Sequence, residues 1–320
     1  MKLLITGAAG FVAGHFLEYI NSDEFDYEVL CLDKSLSSLG ATTYKNISSI
    51  RIQEADLLDV KRIREIIKDF CPDYVLHLAA LSSVASSWKH PTECFLNNTV
   101  VFLNIIEALH DYCPECRILS VGSSEEYGSV RMEDLPIREN QALNPTSPYA
   151  VARVSQEQLS RIFTESYGMN IVLTRSFNHI GPRQDDRFVV PSFIKRVVEL
   201  KRSGLENGEI ETGDISIIRD FVDVRDVVRG YNILLQKGRS GEVYNICSGR
   251  RISLKEVLDI ISEEVGVAVT SKINPEYIRP KDSKETVGTY YKMEAEFGWK
   301  PEIELRQTIH DMVAWHLANC

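Results

Sequence analysis

Hydrophobic and polar positions follow two rhythms that alternate along the first half of this chain. Short apolar runs at 3–5, 27–32, 50–55, 74–78, 117–121 and 171–175 are bounded by Gly, Asp or small residues. They are too short for globular helices and predict buried strands. Between them lie stretches with helical spacing, from about residue 11, at 59–70, at 91–112 and at 148–167. In the second of these, Ile63, Ile66 and Ile67 fall on one face. Strand–helix alternation of this kind builds a parallel sheet covered on both sides, and right-handed crossovers wind it doubly. After Ser176 the rhythm changes, with Gly, Pro and charged residues clustered at 181–187 and 207–214. A further strand at 242–246 is expected to return to the main sheet, and helices are expected at 254–266 and 305–319.

The stretch Thr6-Gly7-Ala8-Ala9-Gly10-Phe11-Val12-Ala13 joins the first strand to the first helix. Gly7 and Gly10 let the backbone turn tightly and approach a ligand, and Ala13 takes the third small position. The helix opening at Phe11 and Val12 aims its unpaired N–H groups and positive dipole end at that turn, a pyrophosphate site. The second strand ends at Asp33, where an acid suits a ribose 2′-hydroxyl and repels a 2′-phosphate. This pattern predicts a Rossmann-type domain over 1–177, with the returning strand near 242–247, that takes NAD(H) in preference to NADP(H). Residues 178–320 are expected to form mainly a smaller, substrate-binding lobe over the carboxyl ends of the strands. Asp56, next to Leu57, could bond an adenine amine or cap the next helix. Leu78, Ala79 and Ala80 end the fourth strand with small surfaces that let a flat cofactor pass, beside His77. His77 reads equally as a core histidine making a local hydrogen bond, and Asn98, on the long helix, as a residue bonding a neighbouring strand.

Composition narrows the choice of partners. The chain has 320 residues, 44% of them hydrophobic, enough for one large domain or two intimate lobes. Its net charge of −10 with no basic run argues against nucleic acid. No apolar stretch reaches membrane-spanning length and no cleavable-signal pattern is present, so a cytoplasmic protein is expected. The seven cysteines sit mostly in apolar segments and read as reduced core residues. Cys113-Pro-Glu-Cys116 lacks a second Cys/His pair and reads as a helix-to-strand turn, and no metal site is expected.

Chemistry is expected where the fifth strand ends. Ser123, Ser124 and Glu125 follow that strand, and Tyr149 and Arg153 stand four apart on the next helix, sharing a face. A tyrosine phenol ordinarily titrates at about 10 and is a poor acid or base. A cation one turn away, with an oxidised nicotinamide, favours the phenolate. Tyr149 could then exchange a proton with a sugar hydroxyl while hydride moves, with Ser123 holding the same oxygen.

The motifs Thr6-Gly-Ala-Ala-Gly-Phe-Val12, His77-Leu-Ala-Ala80, Gly122-Ser-Ser-Glu-Glu-Tyr-Gly128, Ser147-Pro-Tyr-Ala-Val151 and Arg219-Asp-Phe221 span nearly the whole chain. Together they resemble the extended short-chain dehydrogenases/reductases that act on nucleotide sugars. Arg175-Ser-Phe-Asn-His-Ile-Gly-Pro182, Phe188-Val-Val-Pro191, 219–226, 242–249 and Arg279-Pro280 are similar to the GDP-4-keto-6-deoxy-D-mannose reductases within that family. The resemblance implies reduction of a C4 ketone to give a GDP-D-rhamnose-type product. Catalytic roles then fall to Ser123, Glu125, Tyr149 and Arg153, of which Tyr149 and Arg153 are also expected to bind the coenzyme, Arg153 holding its ribose, with Ser124, Asn178, Val189, Arg219 and Arg279 around the nucleotide sugar. A guanidinium fork suits phosphate oxygens at the two arginines. The resemblance also implies a homodimer through a four-helix bundle of the helices holding 98–109 and 149–163. The chain departs from the family at Arg153 (usually Lys), Ala13 and Val101 (usually Gly), and at Asp33 relative to NADP users. Glu125 matches a residue that helps eliminate water in sister 4,6-dehydratases, so a 4,6-dehydratase or a 4-epimerase stays open. Arg153 also leaves open a non-catalytic NAD-binding protein.

Overall fold

The computed structural model describes residues 1–22, 26–36, 47, 49–278 and 283–319. Its first part runs β1 (Lys2–Thr6), α1 (Phe11–Ser22), β2 (Glu28–Asp33), β3 (Ser49–Glu54), α2 (Val60–Phe70) and β4 (Tyr74–His77). It continues with α3 (Val84–Lys89), α4 (Pro91–Phe95), a π-helical turn (Leu96–Val100), α5 (Val101–Tyr112), β5 (Arg117–Ser123), α6 (Pro148–Tyr167) and β6 (Asn170–Ser176). The second part holds β7 (Asn178–Ile180), α7 (Val189–Arg202), β8 (Asn207–Thr212), β9 (Ile218–Arg219), β10 (Phe221–Asp223), α8 (Val224–Lys237) and β11 (Val243–Ile246). It ends with β12 (Ile252–Ser253), α9 (Leu254–Val265), β13 (Ala268–Ile273), β14 (Glu285–Thr286), α10 (Tyr291–Phe297) and α11 (Leu305–Asn319).

Local chemistry sets these limits. Asp59, not Asp56, caps α2 by accepting from the Arg62 amide at 3.0 Å. Ser147 caps α6 through the Ala150 amide at 3.1 Å, Pro148 takes the first helical position, and Gly168 closes the helix at φ +71°. The helix expected over 91–112 is broken by the π turn. There Asn98 Oδ1 accepts from the Leu81 amide at 2.9 Å while Nδ2 donates to the Leu81 carbonyl at 3.2 Å. The widened turn lets Asn98 clamp the loop that leaves β4.

The main sheet is ordered β11-β6-β5-β4-β1-β2-β3, a doubly wound arrangement with its switch point between β4 and β1. The pairings of β3, β2, β1, β4, β5 and β6 are parallel. One face is covered by α2 and α5. Ile63, Ile67, Phe70, Phe102, Ile105 and Leu109 pack there on Leu4, Leu30, Val75, Ile118 and Ile171. Each such fully buried side chain contributes about 1.5–3 kcal/mol. Val101, the departure from a family glycine, is a member of this core.

The chain separates into two compact units. One comprises Met1–Gly128, Ala142–Ser176 and Val228–Tyr244; the other comprises Ser129–Gln141, Phe177–Val227 and Asn245–Cys320. The second unit has its own core, in which Val190, Phe193, Ile194 and Val197 of α7 meet Val257, Leu258 and Ile261 of α9 and Ile309, Met312 and Val313 of α11. Helices α7 and α8 were not anticipated where the rhythm changed. Val224, Val227, Val228, Tyr231, Leu234 and Leu235 carry a clear helical repeat that the neighbouring glycines and charges obscure.

Candidate active site

Gly7 ends β1 at φ +70°, a conformation glycine adopts without strain. A Cβ there would lie 2.7 Å from the Ala79 amide nitrogen and 2.8 Å from its Cα, so the turn rests directly on the β4 exit loop. Gly10 N–H donates to the Gly7 carbonyl at 3.0 Å, and α1 has no acidic residue in its first turn to compete for an anion. Ala13 is fully buried under the helix, while Phe11 and Val12 are half-buried at its start. At the end of β2, Asp33 Oδ2 accepts from the Ala9 amide at 2.9 Å and Oδ1 from the Ser35 amide at 3.2 Å. These bonds fix the carboxyl group beside the glycine turn, with lone pairs left for a hydroxyl. The donors, the glycine cradle and the acid fit a nicotinamide dinucleotide.

After β3, Asp56 is exposed, accepts from the Leu58 amide at 3.0 Å and pairs with Lys34 at 3.2 Å, while Leu57 is buried. The Leu58 amide, against the upward push of burial and helped by Lys34, keeps the Asp56 carboxyl below its usual range. Leu78, Ala79 and Ala80 are half-buried at the end of β4. His77 is fully buried, bonds Thr6 Oγ1 through Nδ1 at 2.9 Å, and stands 5.2 Å from the Phe102 ring, centroid to centroid. Burial, and then the Arg153 charge, pushes it down to about 3, so the imidazole is neutral.

Helix α6 is stitched to β5. Gln156 Nε2 donates to Ser120 Oγ at 2.9 Å and to the Val121 carbonyl at 3.2 Å, and Ser160 Oγ bonds Ser120 Oγ at 3.2 Å. This places Tyr149 and Arg153, only 6% and 5% exposed, over the end of the strand that leads to Ser123. Arg153 Nε donates to the Tyr149 hydroxyl oxygen at 3.2 Å, and its guanidinium lies 5.3 Å from the centre of the Tyr149 ring. Its Nη1 donates to the Val121 carbonyl at 3.0 Å and to Gln156 Oε1 at 2.8 Å. The arginine at the family's lysine position is thus anchored to backbone as well as to the phenol. With its oxygen accepting from Arg153, the phenol can donate its own proton elsewhere.

Ser123 Oγ accepts from the Glu125 amide at 3.2 Å, which leaves the hydroxyl hydrogen as a donor. Ser124 is buried and Glu125 half-buried in the short 3₁₀ helix Ser124–Tyr127. The residue that sequence reasoning passed over is Glu126, fully buried behind Ser123, whose Oε1 accepts from the Ser123 amide at 2.7 Å. Its only signal was a second glutamate inside a motif flanked by small and aromatic residues.

The remaining candidates lie in the second unit. Asn178 is exposed at the start of β7, in register with Phe221 of β10. Val189 opens α7 at 37% exposure. Arg219 in β9 donates Nη1 to the Ile218 and Ser283 carbonyls, both at 2.9 Å. It adjoins Asp220, a buried carboxylate that accepts from the Ser248, Gly249 and Gly288 amides at 2.7, 2.9 and 3.2 Å. Arg279 lies outside the described residues. Among the described residues no cluster of His, Cys, Asp or Glu could hold a metal, and no helix is long and apolar enough to cross a membrane.

A doubly wound sheet with a glycine turn at its switch point, and a Tyr–Arg pair one helical turn apart beside a serine, defines an extended short-chain dehydrogenase/reductase. The model of the GDP-mannose 4,6 dehydratase family matches residues 4–312, and the chain belongs to that family. It is 29% identical to the GDP-6-deoxy-D-mannose reductase of Pseudomonas aeruginosa over 313 residues, 98% of this chain and 96% of that one. The structure of the RMD protein of Pseudomonas aeruginosa complexed with NADPH superposes with a TM-score of 0.85 at 28% identity, covering 100% of this chain and 98% of that one. The UDP-glucose 4-epimerase of Thermotoga maritima, solved with UDP-glucose, superposes with a TM-score of 0.86 at 28% identity, covering 99% of each chain.

Proposed function

We propose that this enzyme reduces the C4 ketone of a nucleotide-linked 4-keto-6-deoxyhexose, of the GDP-4-keto-6-deoxy-D-mannose to GDP-D-rhamnose type. The observation that carries this reading is the buried Arg153–Tyr149 hydrogen bond on a helix stitched to the strand that ends in Ser123. The likeness to a GDP-6-deoxy-D-mannose reductase over nearly the full chain supports it. Gly7, Gly10 and the start of α1 would hold the coenzyme pyrophosphate, with Asp33 at the adenine ribose and Leu78–Ala80 along its path. The reduced nicotinamide, when bound, supplies the hydride.

Tyr149 donates its proton to the sugar oxygen as negative charge develops there. The Arg153 N–H bond strengthens as charge then moves onto the phenol oxygen, which makes it a stabiliser of the transition state. Ser123 directs its hydroxyl hydrogen at the same sugar oxygen. Asn178, Val189, Arg219 and Arg279 are assigned to the nucleotide diphosphate and its base, with a GDP-sugar favoured.

Mixing the protein with GDP-4-keto-6-deoxymannose and following absorbance of the reduced coenzyme tests the reading. Loss of NADH in proportion to product is expected. Because Asp33 repels a 2′-phosphate, NADH should be preferred over NADPH in the same assay. A changed sugar with no net coenzyme loss would instead identify a 4-epimerase or 4,6-dehydratase, the latter favoured by the half-buried Glu125 whose amide bonds Ser123. Coenzyme binding without turnover of any nucleotide sugar would identify a non-catalytic binder.

The helices that flank this site also present apolar side chains to solvent, including Phe95, Leu96, Val151, Ile162 and Tyr167 at 40–57% exposure. This face is proposed to pair α4, α5 and α6 across a two-fold in a homodimer. Light scattering at micromolar protein should give twice the 36.3 kDa chain mass, and a monomer would remove the proposal.

A further inference from the structure

Glu126 takes no part in the scheme above, yet it is the most deeply buried acid at the site. It lies at the third position of the short 3₁₀ helix that Ser123 caps, and its side chain reaches back to the cap amide. Oε1 fills the space a side chain at Gly122 would need, since a Cβ there would collide with it. On its other side, Arg175 of β6 is committed to Glu157 of α6 by a bidentate pair, Nε to Oε2 at 2.9 Å and Nη2 to Oε1 at 2.7 Å. Arg175 Nε is 4.0 Å from Glu126 Oε2, beyond hydrogen-bond reach, and that oxygen has no partner at bonding geometry.

We propose that Glu126 is a positioning residue for Ser123: its carboxyl, wedged between Gly122, the Ser123 amide and the Glu157–Arg175 pair, fixes where the Ser123 hydroxyl sits. This rests on Ser123 acting as proposed above. A carboxylate here would be a second buried anion facing Glu157, sharing at 4.0 Å an Arg175 whose hydrogen bonds are already given to Glu157. The neutral acid instead offers a hydrogen on Oε2 toward the Glu157 anion and keeps Oε1 as acceptor for Ser123. Burial, and then the Glu157 charge, accordingly push Glu126 up to about 8. Burial is the largest influence on Glu157 and works against its ionisation as well, but the Arg175 hydrogen bonds and charge, the Arg161 charge and Glu126 together outweigh it and hold Glu157 below the usual range.

The groups that face Glu126 are Glu157 of α6, with Arg161 bonded to it at 3.0 Å, and Arg175 of β6, which stacks on the Tyr127 ring at 4.7 Å. From strand β5, Gly122 and the Ser123 amide lie against it. As pH rises through about 8 the second negative charge repels Glu157 and shifts the carboxyl that holds Ser123. The placement of Ser123 is therefore lost on the alkaline side and kept below it.

Glu126→Gln preserves shape, acceptor and donor but cannot ionise, whereas Glu126→Leu removes the acceptor. Glu126→Leu should lower kcat by about 10²-fold with coenzyme affinity unchanged. The same substitution placed in Ser123→Ala should cost little more, because the residue acts through Ser123. Equal losses in both backgrounds, or wild-type kcat in Glu126→Leu, would overturn the proposal. A second readout needs no turnover. In protein labelled with ¹⁵N-serine, the Ser123 amide resonance should move as pH rises through about 8 in the wild type and stay fixed in Glu126→Gln. An immobile wild-type resonance would overturn the proposal even in an active enzyme. A titrating resonance in a protein inactive on every sugar would sink the reductase reading alone.

Discussion

Tyr149→Phe is expected to lower turnover of the 4-keto sugar by about 10²–10⁴-fold, the range for loss of a positioned general acid. The substitution removes one oxygen and keeps the ring under the Arg153 guanidinium, at 5.3 Å from its centre. Coenzyme affinity should therefore hold, because the glycine turn and Asp33 are untouched. Some stability is lost, since Arg153 Nε gives up its acceptor inside the protein; a buried donor stranded in this way costs about 1–3 kcal/mol. Nη1 keeps the Val121 carbonyl and Gln156, so the guanidinium stays in place. Steady-state kcat, a fluorescence titration with NADH and a melting curve separate the three effects. Turnover near that of the wild type would mean that another group delivers the proton and that the assignment of Tyr149 is wrong.

Gly7→Ala should weaken coenzyme binding by about 10²-fold, equivalent to about 2.7 kcal/mol. Two costs combine. The backbone at φ +70° is strained for any residue with a side chain, by about 1–2 kcal/mol. The added methyl also meets main-chain atoms of Leu78 and Ala79 at 2.7–2.9 Å, and a backbone neighbour cannot swing aside. The turn and the β4 exit loop must then part at the point where the pyrophosphate and the flat coenzyme are proposed to lie. Gly10→Ala meets only the Gly7 carbonyl, at 3.0 Å, and should cost less. Gly14→Ala, within α1 and with nothing within 4 Å of the added atom, should be neutral or stabilising by about 0.5–1 kcal/mol. Titration of the three variants with NADH checks the ranking. Equal affinities would mean that the turn does not hold the coenzyme.

These two residues also show how differently the parts of the site could be read. Gly7 was legible because the spacing of small residues after an apolar run is a local signal, written within eight positions. Tyr149 and Arg153 were legible as a pair because a helix returns to the same face after four residues. What Arg153 touches was not legible. Its anchor on the Val121 carbonyl joins positions 32 apart in sequence, and only the packing of α6 on β5 brings them together. Glu126 was missed for the same reason. It looks like an ordinary surface acid until the Arg175–Glu157 pair, from two other elements, closes over it.

The alternation of apolar runs and helical repeats determined the order of strands and helices in the dinucleotide-binding half, and the small-residue turn determined where an anion would be held. Both follow from apolar runs too short for helices, from the 3.6-residue helical period and from the missing side chain of glycine, which act over a few positions. Tertiary structure alone decided the π turn that lets Asn98 clamp the β4 loop and the burial that pushes the Glu126 carboxyl up behind Ser123. Those outcomes depend on which distant groups share a dry space, because desolvation and charge pairing arise only between elements already packed together.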